Sequence, residues 1–290
     1  MNFGSLKLFA INSSRSFGER VAASLQIQLA PHEERDFEDG EHKIRSLCNV
    51  RNRDVFVIQS LFGDDQQSVN DRLCRLLFLV GSLKDSGAAR VVAVLPFLCY
   101  SRKDRKTKSR DPVTTRYVAR ILEAVGAGHV VTIDVHNLAA YQNSFHAATT
   151  DHLVATGLFA SHFASVLTEN EKENLVVASP DVGGIKRAEK LRSKLIRILE
   201  APVGHAFLQK GRSGDVVTGG QIVGDVSGKT VIFVDDMICS GTTLALASHA
   251  CRDADSGRVF AAATHAAFSK QAEGILGESA LDQIVVTDTI

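Results

Sequence analysis

The segment Val231-Ile232-Phe233-Val234-Asp235-Asp236-Met237-Ile238-Cys239-Ser240-Gly241-Thr242-Thr243 puts two adjacent carboxylates at the end of an apolar run and a small hydroxyl- and glycine-rich loop after them. Such a loop, opening a helix, presents backbone N–H groups and hydroxyls from Cys239, Ser240, Gly241, Thr242 and Thr243 to a phosphate dianion. Asp235 and Asp236 are poor partners for that phosphate. They suit neighbouring hydroxyls, which would donate hydrogen bonds to them. A phosphate at one end and a vicinal diol at the other describe a ribose 5-phosphate. The plainer alternative is that the two aspartates only cap a helix.

A second concentration of chemistry is the run Ser101–Arg110, SRKDRKTKSR, with six Lys or Arg residues against one Asp. Alone it would read as a solvated loop. It follows an apolar run, Val91–Phe97, and ligands of open α/β sheets bind beyond the carboxyl ends of strands. A polyphosphate suits that position better than nucleic acid, because only Tyr100 offers an aromatic face there.

These groups need a frame to hold them. Apolar, β-branched runs predict strands at Lys7–Asn12, Asp54–Ser60, Val91–Phe97 and Val130–Val135, then at Leu175–Pro180, Thr230–Asp235, Val259–His265 and Ile284–Thr289. Helical periodicity predicts helices over Arg15–Leu29, Val69–Lys84, Thr114–Val125, His152–Thr168, Ile185–Leu199 and Thr242–Asp253. The alternation argues for an α/β protein with mainly parallel sheets flanked by helices. With 290 residues and four strands on either side of residue 148, two domains of like topology are expected, 1–148 and 149–290.

Hydrophobic residues at 44% and charged residues at 23% exclude a disordered chain. The 33 basic and 33 acidic residues cancel, so no overall footprint for nucleic acid or membrane exists. The longest apolar stretch, near Leu76–Leu83, is broken by Gly81 and Ser82 and is too short to span a bilayer. The N-terminus lacks a signal-peptide layout, and five scattered cysteines form no C-x-x-C pair. A cytoplasmic protein with buried free thiols is the expectation.

The loop Asp235–Thr243 resembles the phosphoribosyl-binding loop shared by phosphoribosyltransferases and phosphoribosyl pyrophosphate synthases. Four further segments, in order, extend the resemblance over essentially the whole chain: Phe37-Glu38-Asp39-Gly40-Glu41, Leu95–Arg110, Asp134-Val135-His136 and Ser179-Pro180-Asp181-Val182-Gly183-Gly184. Together they look like the ribose-phosphate pyrophosphokinase family. The resemblance implies two phosphoribosyltransferase-like domains, an N-terminal one binding ATP and a C-terminal one binding ribose 5-phosphate. It implies transfer of the β,γ-diphosphoryl group of Mg-ATP to the C1 hydroxyl of the sugar, with AMP leaving. It also implies Mg2+ as cofactor and a homo-oligomer, dimer or hexamer, with no nucleic-acid or membrane partner.

On the same basis Phe37 would stack on adenine, with Asp39 and Glu41 beside it; on its own, a core Phe before an acidic turn is the competing reading. Arg102 and Arg105 would clamp ATP phosphates through guanidinium forks. Lys103 would act as a point charge, and Asp104 would orient a guanidinium or hold a magnesium-bound water. His136 and Asp181 resemble the magnesium-associated pair, and Gly183 and Gly184 would let the backbone approach a pyrophosphate. Lys210 and Arg212 match the family's K-x-R and would be catalytic, at the base of a mobile glycine-rich loop running to Gly224; a solvated basic hairpin is the alternative.

The chain departs from the family at Lys103, where Gln is usual, and at Cys239–Thr243, where Asp-Thr-Ala-Gly-Thr or similar is usual. The resemblance would normally continue for a strand and helix past Ile290, which leaves a truncated chain and a divergent enzyme both open. A phosphoribosyltransferase would need only Asp235–Thr243. A non-catalytic regulatory homologue would be expected to lose Lys210, Arg212, Asp235 or Asp236, all of which are present.

Overall fold

The computed structural model describes residues 6–213 and 216–290, with side chains described outside 210–219. The chain forms two compact units, residues 1–153 with 289–290, and residues 154–288.

The first unit runs β1 (Leu6–Ala10), α1 (Arg15–Ser24), β2 (His32–Asp36), β3 (His42–Ser46), β4 (Asp54–Ile58), α2 (Val69–Asp85), β5 (Arg90–Leu95), α3 (Thr114–Ala124), β6 (His129–Ile133), α4 (Leu138–Gln142) and β7 (Thr149–Leu153). Five parallel strands stand in the order β1-β4-β5-β6-β7, and β2 and β3 form a separate antiparallel ribbon. Leu76, Leu79 and Leu83 of α2, Val118 and Leu122 of α3, and Tyr141 of α4 pack on Phe9, Val55, Val57, Ala93 and Val130 of the sheet. Ala22 of α1 packs with Leu8, Ala10 and Ile58, whose side chains belong to the opposite face.

The second unit runs α5 (Thr156–Val166), α6 (Glu169–Glu173), β8 (Leu175–Ser179), α7 (Ile185–Leu199), β9 (Gly204–Ser213), β10 (Val216–Val223), β11 (Thr230–Met237), α8 (Thr242–Asp253), β12 (Val259–His265), α9 (Ala272–Gly277) and β13 (Gln283–Val286). Its six strands stand in the order β10-β9-β8-β11-β12-β13, all parallel to their neighbours except the β9–β10 hairpin. Every residue of β8 and β12 is buried, because α5 and α7 cover one face and α8 the other. The strand order reverses at β8, whose neighbours β9 and β11 lie on opposite sides. A crevice outside the strand ends opens at such a switch point.

Several expectations need correction. The first helix stops at Ser24, since Gln26 takes a left-handed φ of 55° and turns the chain back to Leu8. His152 and Leu153 belong to β7 rather than to the following helix. Among the described residues after Lys210, much of the glycine-rich stretch is strand rather than loop: β9 runs to Ser213 and β10 over Val216–Val223, with a register shift between Val217 and Gly220. Of the five free cysteines only Cys99 and Cys251 are buried; Cys74 is exposed.

Candidate functional site

In the second unit the parallel strands β8 and β11 lie side by side, paired from Thr230↔Leu175 to Phe233↔Ala178. Their carboxyl ends therefore bring Asp181 and the pair Asp235–Asp236 to one edge of the sheet. Asp236 is buried and Asp235 is half-buried. The Asp236 N–H donates to Asp235 Oδ1 at 2.8 Å. Arg187, in the first turn of α7, spans both carboxylates: Nη1 donates to Asp235 Oδ1 at 2.8 Å, and Nη2 stands 3.2 Å from Asp236 Oδ1.

Burial, with the Asp236 carboxyl beside it, pushes the Asp235 carboxyl up to about 7, and Arg187 offsets only part of this. Two adjacent carboxyls of this kind titrate as a unit.

The chain then bends through Cys239 and Ser240 into α8. Gly241 sits before the helix at φ 79°, and a Cβ there would stand 2.6 Å from Leu276 side-chain atoms. Left-handed backbone and close packing both require glycine at this point. The loop is held from outside: Ile238 N–H donates to His265 O, and Ser269 N–H to Cys239 O, each at 3.0 Å. Ser240 Oγ and Thr242 Oγ1 are 3.0 Å apart, and Thr242 is exposed. Hydroxyls and helix-start N–H groups are thus gathered beside the acidic pair, a combination that suits an anion linked to a polyol.

Asp181 follows β8 and caps the short turn 182–184, its Oδ1 accepting from Gly184 N–H at 3.1 Å. A Cβ on Gly184 would meet Ser179 Oγ at 2.5 Å, so this glycine is demanded by its own neighbour; Gly183 is exposed. Among the described residues no three His, Cys, Asp or Glu side chains gather to hold a metal. One strand-end carboxylate suits a magnesium ion that keeps water and phosphate oxygens as its other ligands.

Lys210 and Arg212 lie outside the residues with described side chains. Their backbone is on β9, which pairs with β8 in parallel as far as Phe207↔Ser179 and runs on to Ser213. At about 3.3 Å per residue, Lys210 stands roughly 10 Å beyond that last pair, past the carboxyl end of β8.

In the first unit, Phe37–Glu41 forms the turn of the β2–β3 ribbon. Phe37 N–H donates to Glu41 O at 2.9 Å, Gly40 N–H to Phe37 O at 3.1 Å, and Glu41 N–H to Asp39 Oδ1 at 3.0 Å. Phe37 is 41% exposed, and the Arg35 guanidinium lies 5.3 Å from its ring centroid. It is no core residue.

The basic loop after β5 sorts its cations. Arg102 and Arg105 are exposed and have no ion-pair partner among the described residues. Lys103 does not join them. Its Nζ donates to Asp111 Oδ2 at 2.8 Å, and Lys103, with the Thr107 hydroxyl and the Lys108 N–H, holds the Asp111 carboxyl far below the usual range. Asp104 is held by a side-chain amide: Asn137 Nδ2 donates to its Oδ2 at 2.5 Å. That bond ties the basic loop to the turn after β6, where Asp134 takes a φ of 38° and His136 is exposed.

A parallel α/β unit with an acidic pair and a helix-start loop at its switch point defines a phosphate-binding class of protein. Comparison with known proteins narrows it. The sequence model described as the N-terminal domain of ribose phosphate pyrophosphokinase matches residues 6–126, and the phosphoribosyl synthetase-associated domain matches residues 217–290. A putative ribose-phosphate pyrophosphokinase 2 of Lactiplantibacillus plantarum is 37% identical over 289 residues, covering 100% of this chain and 86% of its own. Ribose-phosphate pyrophosphokinase 1 of Streptococcus pyogenes is 36% identical over 293 residues, covering 100% and 87%. The crystal structure of phosphoribosylpyrophosphate synthetase from Mycobacterium smegmatis superposes with a TM-score of 0.86 at 34% identity, over 99% of this chain and 89% of that one. The chain belongs to the ribose-phosphate pyrophosphokinase family and is an enzyme of that transferase class.

Arg187 escaped the sequence reading. It is one of several basic residues on an amphipathic helix, and only its place three residues after Gly184 could have singled it out.

Proposed function

We propose that the enzyme transfers the β,γ-diphosphoryl group of Mg-ATP to the C1 hydroxyl of ribose 5-phosphate, giving phosphoribosyl pyrophosphate and AMP. The observation that carries this reading is the Asp235–Asp236 pair, clamped by Arg187 beside the Cys239–Thr243 loop, in a chain whose full length aligns with named pyrophosphokinases. Asp235 and Asp236 accept from the ribose hydroxyls. Cys239, Ser240, Gly241, Thr242 and Thr243 cradle the 5-phosphate.

In the N-terminal unit Phe37 offers its exposed ring to adenine, with Asp39 and Glu41 beside it, and Arg102 and Arg105 take the ATP phosphates. Lys103 and Asp104 serve this half by holding the loop, through Asp111 and Asn137. Asp181, with Gly183 and Gly184, belongs to the pyrophosphate end.

Phosphoryl-group chemistry asks for positioning and charge neutralisation rather than covalent help. Lys210 and Arg212 are assigned that neutralising role on the migrating group, in a site that excludes water. Asp181 and His136 are the residues assigned to Mg2+, which when bound offsets phosphate charge. We also assign the enzyme to the cytoplasm as a homo-oligomer. Incubation with Mg-ATP and ribose 5-phosphate tests the reaction: AMP and phosphoribosyl pyrophosphate should appear in equal amounts. Absence of both would leave the regulatory-homologue reading in its place.

A further inference from the structure

The ribbon of β2 and β3, whose turn carries Phe37, stands outside the main sheet, and a two-stranded ribbon is marginal alone. Its apolar anchor is thin. Ile44 is its one residue in the core cluster, and β2 reads His-Glu-Glu-Arg-Asp. Yet the side chains of His32 and Glu34 are only 4% exposed.

What holds them is polar. Glu34 Oε1 accepts from Asn12 N–H at 2.6 Å and from His32 Nε2 at 2.8 Å. Arg75 of α2, 9% exposed, reaches Glu34 Oε2 with Nη1 at 3.4 Å and donates to Asp36 Oδ1 with Nη2. Burial works to raise the Glu34 pKa, but the His32 and Asn12 bonds and the Arg75 charge outweigh it, so Glu34 is held ionised below its usual range. One turn along α2, Phe78 stacks on His42, the register partner of Asp36, at 5.3 Å and 26°.

The Arg75 Nε is buried with no partner of its own. A buried donor left unpaired costs stability. The arginine is thus placed for its fork, which fixes both carboxylates that flank Arg35, and Asp36 is the residue directly before Phe37.

We propose that Arg75 is a positioning residue for the nucleotide: its two-carboxylate grip sets the angle at which the ribbon presents the Phe37–Glu41 turn. This rests on the assignment of Phe37 to adenine above. A Lys cannot reproduce a fork on two carboxylates.

The test compares R75M, R75K and F37A in steady-state assays, with folding checked by circular dichroism. A residue that orients the seat should raise the ATP KM about tenfold and lower preference for ATP over GTP, with kcat and the ribose 5-phosphate KM within about twofold. R75K keeps the charge and guards against loss of the fold through an uncompensated buried carboxylate; it should recover only part of the affinity. If F37A raises the ATP KM while both folded Arg75 variants leave it unchanged, the positioning role is overturned and the adenine seat stands. If F37A itself leaves the ATP KM unchanged, the adenine seat fails and the Arg75 proposal fails with it.

Discussion

The two candidate binding regions, one in each unit, are built on opposite plans. The region assigned to the sugar phosphate stands on core strand ends, its acidic pair gripped by Arg187 and its loop fixed by Gly241 and by bonds to His265 and Ser269. The region assigned to the nucleotide stands on a ribbon turn and a long loop, and it leaves Arg102 and Arg105 exposed without ion pairs among the described residues. In the first, Arg187 and the backbone bonds orient the acidic pair and the loop internally, so the geometry exists before any ligand arrives. In the second, the charges wait for an anionic partner. The contrast suits the proposed substrates, a sugar monophosphate that needs exact orientation of one hydroxyl and a polyphosphate that needs counter-charge.

Removing the clamp should break this contrast most sharply. Arg187→Met leaves two carboxylates of a partly buried cluster uncompensated and should cost roughly 3 kcal/mol of stability, read by denaturant unfolding, with ribose 5-phosphate affinity lost in parallel. Lys210→Ala should lower kcat about a hundredfold, corresponding to about 3 kcal/mol of barrier, while calorimetry shows ribose 5-phosphate bound normally. Near-normal turnover would remove Lys210 from the chemistry. Arg105→Ala should raise the ATP KM about tenfold and leave the sugar KM and the melting temperature unchanged, because no internal partner is orphaned. A drop in melting temperature would show that the nucleotide half is also built on internal pairs.

The smallest effect is pH. Asp235 titrates higher in the folded chain than unfolded, so the folded state holds a proton that the unfolded state has released. Its contribution to stability is therefore fully present below the ordinary carboxylate range and is lost as pH rises through about 7. Ribose 5-phosphate binding should move the other way, tightening a few-fold over the same window as the pair becomes a better acceptor. Asp235→Asn should flatten both slopes; equal slopes in the variant would place the titration elsewhere.

The sugar half was far more legible in the sequence than the nucleotide half, for a physical reason. Strands β8, β11 and β12 are buried on both faces and read as unbroken apolar runs, and helices over 185–199 and 242–253 were predicted with the ends observed. Strand β2 is polar throughout and β7 is a polar edge strand, so neither carries a hydrophobic period. The β9–β10 hairpin was hidden by glycines that propensity assigns to loops. Tertiary pairing also escaped. Nothing local says that Lys103 is spent on Asp111, that Asp104 is held by Asn137, or that Arg187 among its basic neighbours is the one facing two aspartates.

In the proposed reaction an intact diphosphoryl group moves from nucleotide to sugar. Parallel reactions with ribose 5-phosphate and ATP labelled with 32P at either the α or the β position follow it directly. The β label should appear wholly in the sugar product and the α label wholly in AMP. Label from the α position in the sugar, or β label left in ADP, would contradict it.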